Sequence, residues 1–389
     1  MHAKYHPCHA LIAGLLLSGC YIPCNDAARS GTWEREIPGL SGTTIIQSSD
    51  GGYLIAGSIR GTGFLSRSIV LTKLDDSGTE SWTTTFPDKE FSFSNHVFEA
   101  ADQTIILSGT ADGKAYAARV DSDGEILWSR TVEESGEHVY QAPYLTALTD
   151  GNFALASYNQ GPERYNYPSH IVKLDLDGDV IWTRILNAAD DTRIVAMLPG
   201  PNGNINVFTD EFDYAANDKG TKLTPAGERH FRIAQLGAAD GTTAWEILDS
   251  ESFGALAPAD DGGFISYYRN EMRLYDADGV LVSERQHGVA NFAGYYTKFR
   301  PAAGGGYILG GYNLNRRLRL FNDCGNMLAA KLDAEGEILW EREYGTDAME
   351  YLQDIAPTSD GGFVLLGLRA KNLDSWRQSA IITRVEGDN

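Results

Sequence analysis

The sequence repeats itself roughly every fifty residues, and this repeat restricts the fold more than any other property of the chain. In its clearest form the unit begins with Asp-Gly-Gly-aromatic and an apolar run, and continues to Lys-Leu-Asp-x-x-Gly-x-x-x-Trp, whereas other copies are degenerate. The clearest copy covers residues 50–57 and 73–82. Seven copies follow one another, with the central residue of the first turn at positions 51, 103, 151, 203, 262, 305 and 361. Such a period of short strand-like segments is typical of β-propeller blades.

Each copy predicts four short strands, which in the first copy cover residues 43–47, 53–58, 69–74 and 80–86. The Asp-Gly-Gly step predicts a tight hairpin, because glycine adopts a positive φ without steric cost. In the fourth unit two segments compete for the end of the third strand, 223–231 and 236–245. We prefer the second, because Gly241 and Trp245 keep the four-residue step of the first copy.

Tryptophan marks the last strand of the repeat. Six of the seven tryptophans occupy this place, at positions 33, 82, 128, 182, 245 and 340. Trp376 does not, and the fifth unit has Ser283 where tryptophan is expected. Because a large rigid ring covers much apolar area, we expect the repeated tryptophan to pack between neighbouring sheets.

The two ends of the repeat array complement each other. Residues 31–37 match residues 337–343, the fourth strand of a unit, whereas residues 380–385 form a third strand with no fourth behind it. The N-terminal strand therefore completes the last blade and leaves no open edge. We predict an all-β fold: a seven-bladed β-propeller over residues 31–389, with four antiparallel strands per blade.

The N-terminal segment carries a processing signal. Residues 10–17 form an apolar run shorter than the roughly 20 residues that span a bilayer, as in a secretory signal peptide. The run ends in Leu-Ser-Gly-Cys20, which resembles the lipobox of bacterial lipoproteins. The resemblance implies a signal peptide at residues 1–19, a lipidated Cys20 and a linker over 20–30. A short buried helix with an incidental cysteine is the alternative.

Export and the membrane are the further consequences of this resemblance. Tyr21 follows the cysteine, where the inner-membrane retention signal of Gram-negative lipoproteins has Asp. The outer membrane is therefore favoured, with its periplasmic or surface face left open. The formal net charge of −21 repels phosphate backbones, so we expect no nucleic acid among the partners. We expect membrane attachment through the lipid, and an unidentified protein or glycan partner.

The repeats over residues 31–389 resemble the Trp-containing repeats of quinoprotein-like propellers and related bacterial lipoproteins. They differ by having one residue fewer between Asp and Gly in the turn. The paired-Cys cofactor contact and the catalytic Asp of quinoproteins have no recognisable counterpart in this chain. We therefore predict no cofactor and no catalytic residue, and no hydrolase or P-loop motif occurs in the sequence.

Acidic turns and histidines are the candidate metal ligands. Segments 121–124, 175–179 and 276–279 resemble fragments of calcium loops, but they lack the Glu at position twelve and the flanking helices. We interpret them as turns in which Asp bonds the backbone, with weak Ca²⁺ binding as the alternative. No two histidines of the mature chain have metal-ligand spacing, so we predict no metal site.

Two insertions are candidate partner contacts. Their aromatic and basic side chains are common in interfaces, although a solvated loop is the alternative. The candidate residues are Tyr158, Arg164, Tyr165 and Tyr167 in the third unit, and Arg316, Arg317 and Arg319 in the sixth.

Cys24 and Cys324 remain after processing and lipidation. In an oxidising compartment two thiols within reach pair, so a disulfide and two unpaired thiols are equally favoured.

Function divides into two hypotheses. The first is a lipid-anchored, non-enzymatic scaffold or binding module, since a rigid toroid offers two loop faces and a central channel. The alternative is a propeller enzyme of the lactonase, lyase or quinone-dehydrogenase kind. A cluster of carboxylate, His and Arg side chains at the channel mouth would favour the enzyme.

Overall fold

The computed structural model contains seven four-stranded antiparallel sheets arranged as propeller blades. It describes residues 32–387 apart from segments 61–65, 87–88, 91–92, 133–138, 161–168, 187–190, 213, 217–222, 226–228, 250–253, 260, 269–270, 287–294, 316–323, 346–348 and 371–377. Within the described residues the one helical element is a 3-10 turn, Pro201–Gly203. This part of the chain holds no helix with the length and apolarity needed to cross a membrane.

The strands of each blade follow one another in the chain from the inner strand to the outer one, except in blade 7. Blade 1 comprises Leu40–Gln47, Tyr53–Arg60, Ser66–Leu74 and Glu80–Thr85, and blade 2 comprises Phe93–Glu99, Ile105–Ala111, Lys114–Val120 and Ile126–Thr131. Blade 3 comprises Val139–Ala147, Phe153–Gln160, Ser169–Leu174 and Val180–Leu186, and blade 4 comprises Asp191–Pro199, Ile205–Phe212, His230–Leu236 and Thr243–Asp249.

The remaining blades complete the circle. Blade 5 comprises Ala255–Pro258, Phe264–Tyr268, Glu271–Tyr275 and Leu281–Gln286, and blade 6 comprises Tyr295–Pro301, Tyr307–Asn315, Cys324–Leu332 and Ile338–Tyr344. Blade 7 comprises Met349–Pro357, Phe363–Ala370, Gln378–Val385 and, as its outer strand, Trp33–Pro38. Three short strands lie outside this scheme: Lys89–Glu90, Tyr214–Ala216 and Leu223–Pro225.

Two sequence predictions about topology are confirmed. Trp33 pairs with Arg384 in antiparallel register, so the N-terminal strand closes blade 7. In blade 4 the third strand ends at Leu236, and Trp245 lies on the outer strand, as the preferred alignment predicted. The start of the competing segment, Leu223–Pro225, instead forms a separate small hairpin, in which Leu223 pairs with Ala216.

The core is divided among the blade interfaces. Among the described residues seven apolar clusters occur, and each joins residues of two neighbouring blades. Between blades 1 and 2, for example, Leu54 and Leu71 pack with Leu107. Burial of this apolar surface is the main force that holds one blade against the next.

The repeated tryptophan joins the outer parts of neighbouring blades. The ring of Trp82 lies on Gly124 in the last turn of blade 2, and its Nε1 donates to Ser122 O at 3.1 Å. A side chain at Gly124 would begin 2.9 Å from the ring, and its φ is +92°. The same ring-on-glycine contact joins Trp33 to Gly78, Trp128 to Gly178, Trp182 to Gly241 and Trp245 to Gly279. Most of these rings stay partly exposed, because they lie at the rim.

The propeller has two different ends. We call the end with the turns from first to second and from third to fourth strands the turn end. We call the opposite end, which carries the second-to-third connections and the links between blades, the connection end. All seven first turns have five residues, such as 48–52 and 358–362. Second-to-third connections range from two residues, 112–113, to seventeen, 213–229.

An ion pair explains two elements of the repeat at the turn end. Lys73, on the third strand of blade 1, reaches back to Asp50 of the first turn, with Nζ 2.6 Å from Oδ1. Asp50 Oδ1 also accepts the N–H of Gly52 and so fixes the turn. The equivalent pairs are Arg119–Asp102, Lys173–Asp150 and Arg384–Asp360.

Candidate functional site in the central channel

The seven inner strands line the central axis. Each contacts the next, and that of blade 7 contacts that of blade 1. All except the short strand of blade 5 contain a β-bulge near the middle. The first residue after the bulge, or its equivalent in blade 5, defines what we call the channel ring. Its members in blade order are Thr44, His96, Tyr144, Ala196, Ala255, Lys298 and Asp354.

Asp354 is the carboxylate of the channel ring and is 1% exposed. Its Oδ2 accepts the backbone N–H of Ile45 at 3.1 Å, and its Oδ1 accepts from Arg300 Nη2 at 3.3 Å. Arg300 lies two residues after Lys298 on the inner strand of blade 6. Both carboxylate oxygens therefore have partners, and one charge of the basic side is balanced.

His96 faces this basic side from blade 2. Burial is the main cause that lowers the pKa of His96 to about 3, and the positive charges of Lys298 and Arg300 lower it further. Since these residues lie on blades 2 and 6, the charges act across the channel. His96 packs against Tyr144, with the ring centroids 5.6 Å apart. The imidazole is neutral at physiological pH and offers one N–H donor.

Lys298 is the second cation of the cluster. Burial and the neighbouring charge of Arg300 lower the pKa of Lys298, while Asp354 opposes them. Among the described residues, Lys298 forms neither a hydrogen bond nor a salt bridge. Part of its surface is still accessible. The ammonium is therefore held in a crowded environment without a direct partner in this part of the protein.

The opposite side of the channel ring is small and apolar. Ala196 and Ala255, on the adjacent blades 4 and 5, pack into the apolar clusters that join blades 4 and 5 and blades 5 and 6. Val195, the bulge residue of blade 4, is 37% exposed although it lies on an inner strand. Water therefore reaches the inner surface of this blade. The ring thus has a charged side formed by blades 6 and 7 and an uncharged, apolar side formed by blades 4 and 5.

The geometry suits binding better than acid–base catalysis. A catalytic histidine is usually oriented by a carboxylate and has a pKa near the working pH. Among the described residues no carboxylate contacts His96, and both oxygens of Asp354 are already bonded. What the cluster offers is positive charge and a donor in a restricted space.

Most of the site residues predicted from sequence lie outside the described residues. These are Cys20, Cys24, Arg164, Tyr165, Tyr167, Arg316, Arg317 and Arg319. Tyr158 lies in the second strand of blade 3, near the connection end. None of these residues belongs to the channel ring, whose charged members the sequence patterns did not single out.

The predicted disulfide stays a prediction, with a clearer requirement. Cys324 is the first residue of the third strand of blade 6, so it lies at the connection end. The outer strand of blade 7 begins with Trp33 at the turn end. Nine residues from Cys24 to Trp33 span at most about 30 Å, roughly the length of a nine-residue strand. The bond would need this segment to run extended along the blade.

The acidic turns use their first Asp as a backbone acceptor. Asp121 Oδ1 accepts the N–H groups of Asp123 and Glu125, at 3.0 and 2.8 Å. Asp75, Asp175, Asp276 and Asp333 bond the residue four positions later in the same way. In the described part of the chain no group of three or more His, Cys, Asp or Glu side chains is arranged to hold a metal. These bonds support the interpretation as structural turns.

Comparison with known proteins supports the propeller fold. No curated protein matches the chain. A fungal alcohol oxidase aligns over 93% of this chain and 77% of its own, with 11% identity and a TM-score of 0.53. An acylaminoacyl peptidase of Pyrococcus horikoshii aligns over 91% and 53%, with 9% identity and a TM-score of 0.52. At these identities the likeness shows the propeller fold alone.

A family model matches part of the sequence. It is described as outer membrane protein assembly factor BamB, and it matches residues 66–201. This range runs from the third strand of blade 1 to the first turn of blade 4. The match and the fold together support a quinoprotein-like propeller, similar over these blades to the BamB model.

Proposed function

We propose that the protein is an exported, lipid-anchored propeller that binds a protein partner at its connection end. One observation carries the proposal: the length variation of the connections is concentrated at that end. First turns have a constant length of five residues, whereas second-to-third connections vary from two to seventeen. Binding residues are commonly carried on variable loops that a rigid scaffold positions.

The matched family model supports a binding role. Its description names an assembly factor for outer membrane proteins, which is a task of protein–protein contact. The predicted contacts Arg164 and Arg316 belong to the connections of blades 3 and 6, and Tyr158 lies in the strand that leads into the blade 3 connection, so they would contribute to the same surface.

The predicted anchor agrees with this orientation. Trp33 begins at the turn end, so the linker from Cys20 enters the propeller there. A membrane-attached Cys20 would tether the turn end and leave the connection end available to a partner.

The alternative function is an enzyme that uses the channel cluster of His96, Lys298 and Asp354. A lysine near a second cation has the environment of an amine nucleophile, which favours this candidate. The bonded carboxylate and the neutral histidine without an acidic partner favour binding instead. If the wild type turns over a substrate and the Lys298→Met variant does not, the result would support the enzyme hypothesis.

Site-specific crosslinking tests the proposed docking end. A photo-crosslinking amino acid replaces Arg60, exposed at the connection end of blade 1, or Asp76, exposed at its turn end. We expect a discrete crosslinked partner from position 60 and none from position 76. Crosslinks from position 76 alone, or from neither position, would contradict the proposal.

Fractionation of a Cys20→Ser variant tests the anchor separately. We expect the variant to leave the membrane fraction, or to stay unprocessed, while the wild type remains attached. A variant that is membrane-bound with the wild-type mass would exclude Cys20 as the anchor.

A further inference from the structure

We propose that the centre of the channel binds a small organic anion, held by Lys298 and Arg300 and accommodated beside Val195 of blade 4. This site lies between the inner strands, apart from the proposed docking end. The inference therefore does not depend on the proposed partner.

The charge balance of the channel ring is the first argument. Lys298 and Arg300 are cationic, Asp354 is anionic and His96 is neutral, so one positive charge is in excess. The chain as a whole carries a net charge of −21. A local positive excess in such a protein attracts anions to that point specifically.

The lack of a direct partner for Lys298 among the described residues is the second argument. Asp354 is hydrogen-bonded to Arg300 and to the N–H of Ile45. Lys298 therefore interacts with Asp354 only through longer-range electrostatic attraction. A crowded ammonium without a partner is costly, and an incoming anion would offset that cost. In a channel of reduced dielectric this attraction is stronger than at the surface.

The shape of the channel ring selects the kind of anion. Lys298, Arg300 and His96 present donors on one side, which suits a carboxylate or phosphate group. On the other side Val195 of blade 4 is apolar and 37% exposed, whereas Ala196 and Ala255 pack into the blade interfaces. A short aliphatic carboxylate would place its charge on the donors and its chain beside Val195.

Calorimetric titration with sodium butyrate and with inorganic phosphate tests the site in the purified protein. We expect butyrate to bind, and Lys298→Met to weaken its binding at least about tenfold, since a charge-assisted contact is lost. The matched control is Lys331→Met, a lysine on the third strand of the same blade, which lies at the turn end. Lys331→Met should bind butyrate as the wild type does.

Val195→Phe provides an independent variant that leaves every charge in place. It fills the apolar side, so it should abolish butyrate binding and affect phosphate less. Phosphate binding that depends on Lys298, without butyrate binding, would keep the anion site and assign it to phosphate groups. Absence of binding by both anions, or equal binding by the wild type and Lys298→Met, would overturn the proposal. Unchanged thermal unfolding of the variants excludes a folding defect.

Discussion

The turn end and the connection end are made from the same strands, but they are organised differently. At the turn end two contacts recur among the described residues: an acidic residue paired with a base in four blades, and a tryptophan on the next blade's glycine at five blade junctions. At the connection end the links between strands differ in length from blade to blade. The contacts that join the rims of neighbouring blades are thus concentrated at the turn end. The connections at the opposite end can therefore vary in length.

This division has a physical reason. A tight turn of fixed length positions its Asp and Gly to within hydrogen-bond distance of partners on the neighbouring strand or blade. Inserting a residue there would displace both groups. A connection with no such fixed partner can lengthen at a cost that grows only slowly with loop length.

Removing one partner of a buried ion pair at the turn end should have the largest effect. Lys173 is 1% exposed, and its Nζ lies 2.6 Å from Asp150 and 2.7 Å from Ala238 O. Asp150→Ala leaves this charge without its counter-ion, so we expect a loss of about 3 kcal/mol in the free energy of unfolding. Urea denaturation measures it.

The double variant Asp150→Ala/Lys173→Met is the control for this experiment. It removes the orphaned charge, so it should recover most of the lost stability. If the single variant is as stable as the wild type, the ion pairs do not stabilise the turn end.

The fold could be predicted because its determinants recur in the sequence. Turn glycines, the third-strand base and the tryptophan are local signals, and each appears in most copies. Even the degenerate blade 4 is aligned correctly by the step between Gly241 and Trp245. Closure by the N-terminal strand follows from one match between residues 31–37 and 337–343.

The channel cluster was missed because it is not a local motif. His96 and Lys298 are about two hundred residues apart in the chain and meet only when the ring closes. The repeat nevertheless contains the necessary signal. Every member of the channel ring lies seven residues before the central turn position of its unit, as His96 does before position 103. Reading that one column, Thr, His, Tyr, Ala, Ala, Lys and Asp, would have located the cluster.

The tryptophan contact predicts a smaller effect at glycine. Gly124→Ala combines a positive φ with a Cβ 2.9 Å from the ring of Trp82, so we expect a loss of about 2–3 kcal/mol. Gly51→Ala is the matched control, because its φ is +89° and no atom lies within 4 Å of the new Cβ. It should lose about 1 kcal/mol by backbone strain alone. Equal losses in urea denaturation would mean that the ring contact contributes nothing.

Acid should weaken the turn end through its aspartates. Burial raises the pKa of Asp360, but hydrogen bonds from Thr358 and Gly362 and the ion pair with Arg384 lower it to about 2. As the pH falls, the carboxylate of Asp360 therefore takes up its proton at a higher pH in the unfolded chain than in the folded protein. The stabilisation is complete above the ordinary pKa of 3.8 and is lost as the pH falls towards 2.

An Asp360→Asn variant isolates this contribution. Because Asp360 is partly exposed, solvent screening reduces the expected difference to about 1 kcal/mol. The wild type should lose that much more stability than the variant between pH 5 and pH 2, measured by urea denaturation at each pH. Parallel pH profiles would show that the lowered pKa is not coupled to folding.

Blade 5 allows the comparison to be tested by a gain of stability, with the smallest expected effect. Ser283 occupies the tryptophan position, and Gly336 in the next blade has the positive φ of the other contact glycines, +87°. Arg285 already donates to Glu335 O in that turn, as Arg130 donates to Gly178 O beside Trp128. The same spacing of the two side chains in blade 2 indicates that a tryptophan fits beside Arg285. Ser283→Trp should therefore stabilise the protein by about 0.5–1 kcal/mol. The midpoint temperature of thermal unfolding should rise by roughly 2 °C. Ser283→Ala is the control, because it adds no ring. An unchanged or lower midpoint would show that the ring-on-glycine contact is not transferable between blades.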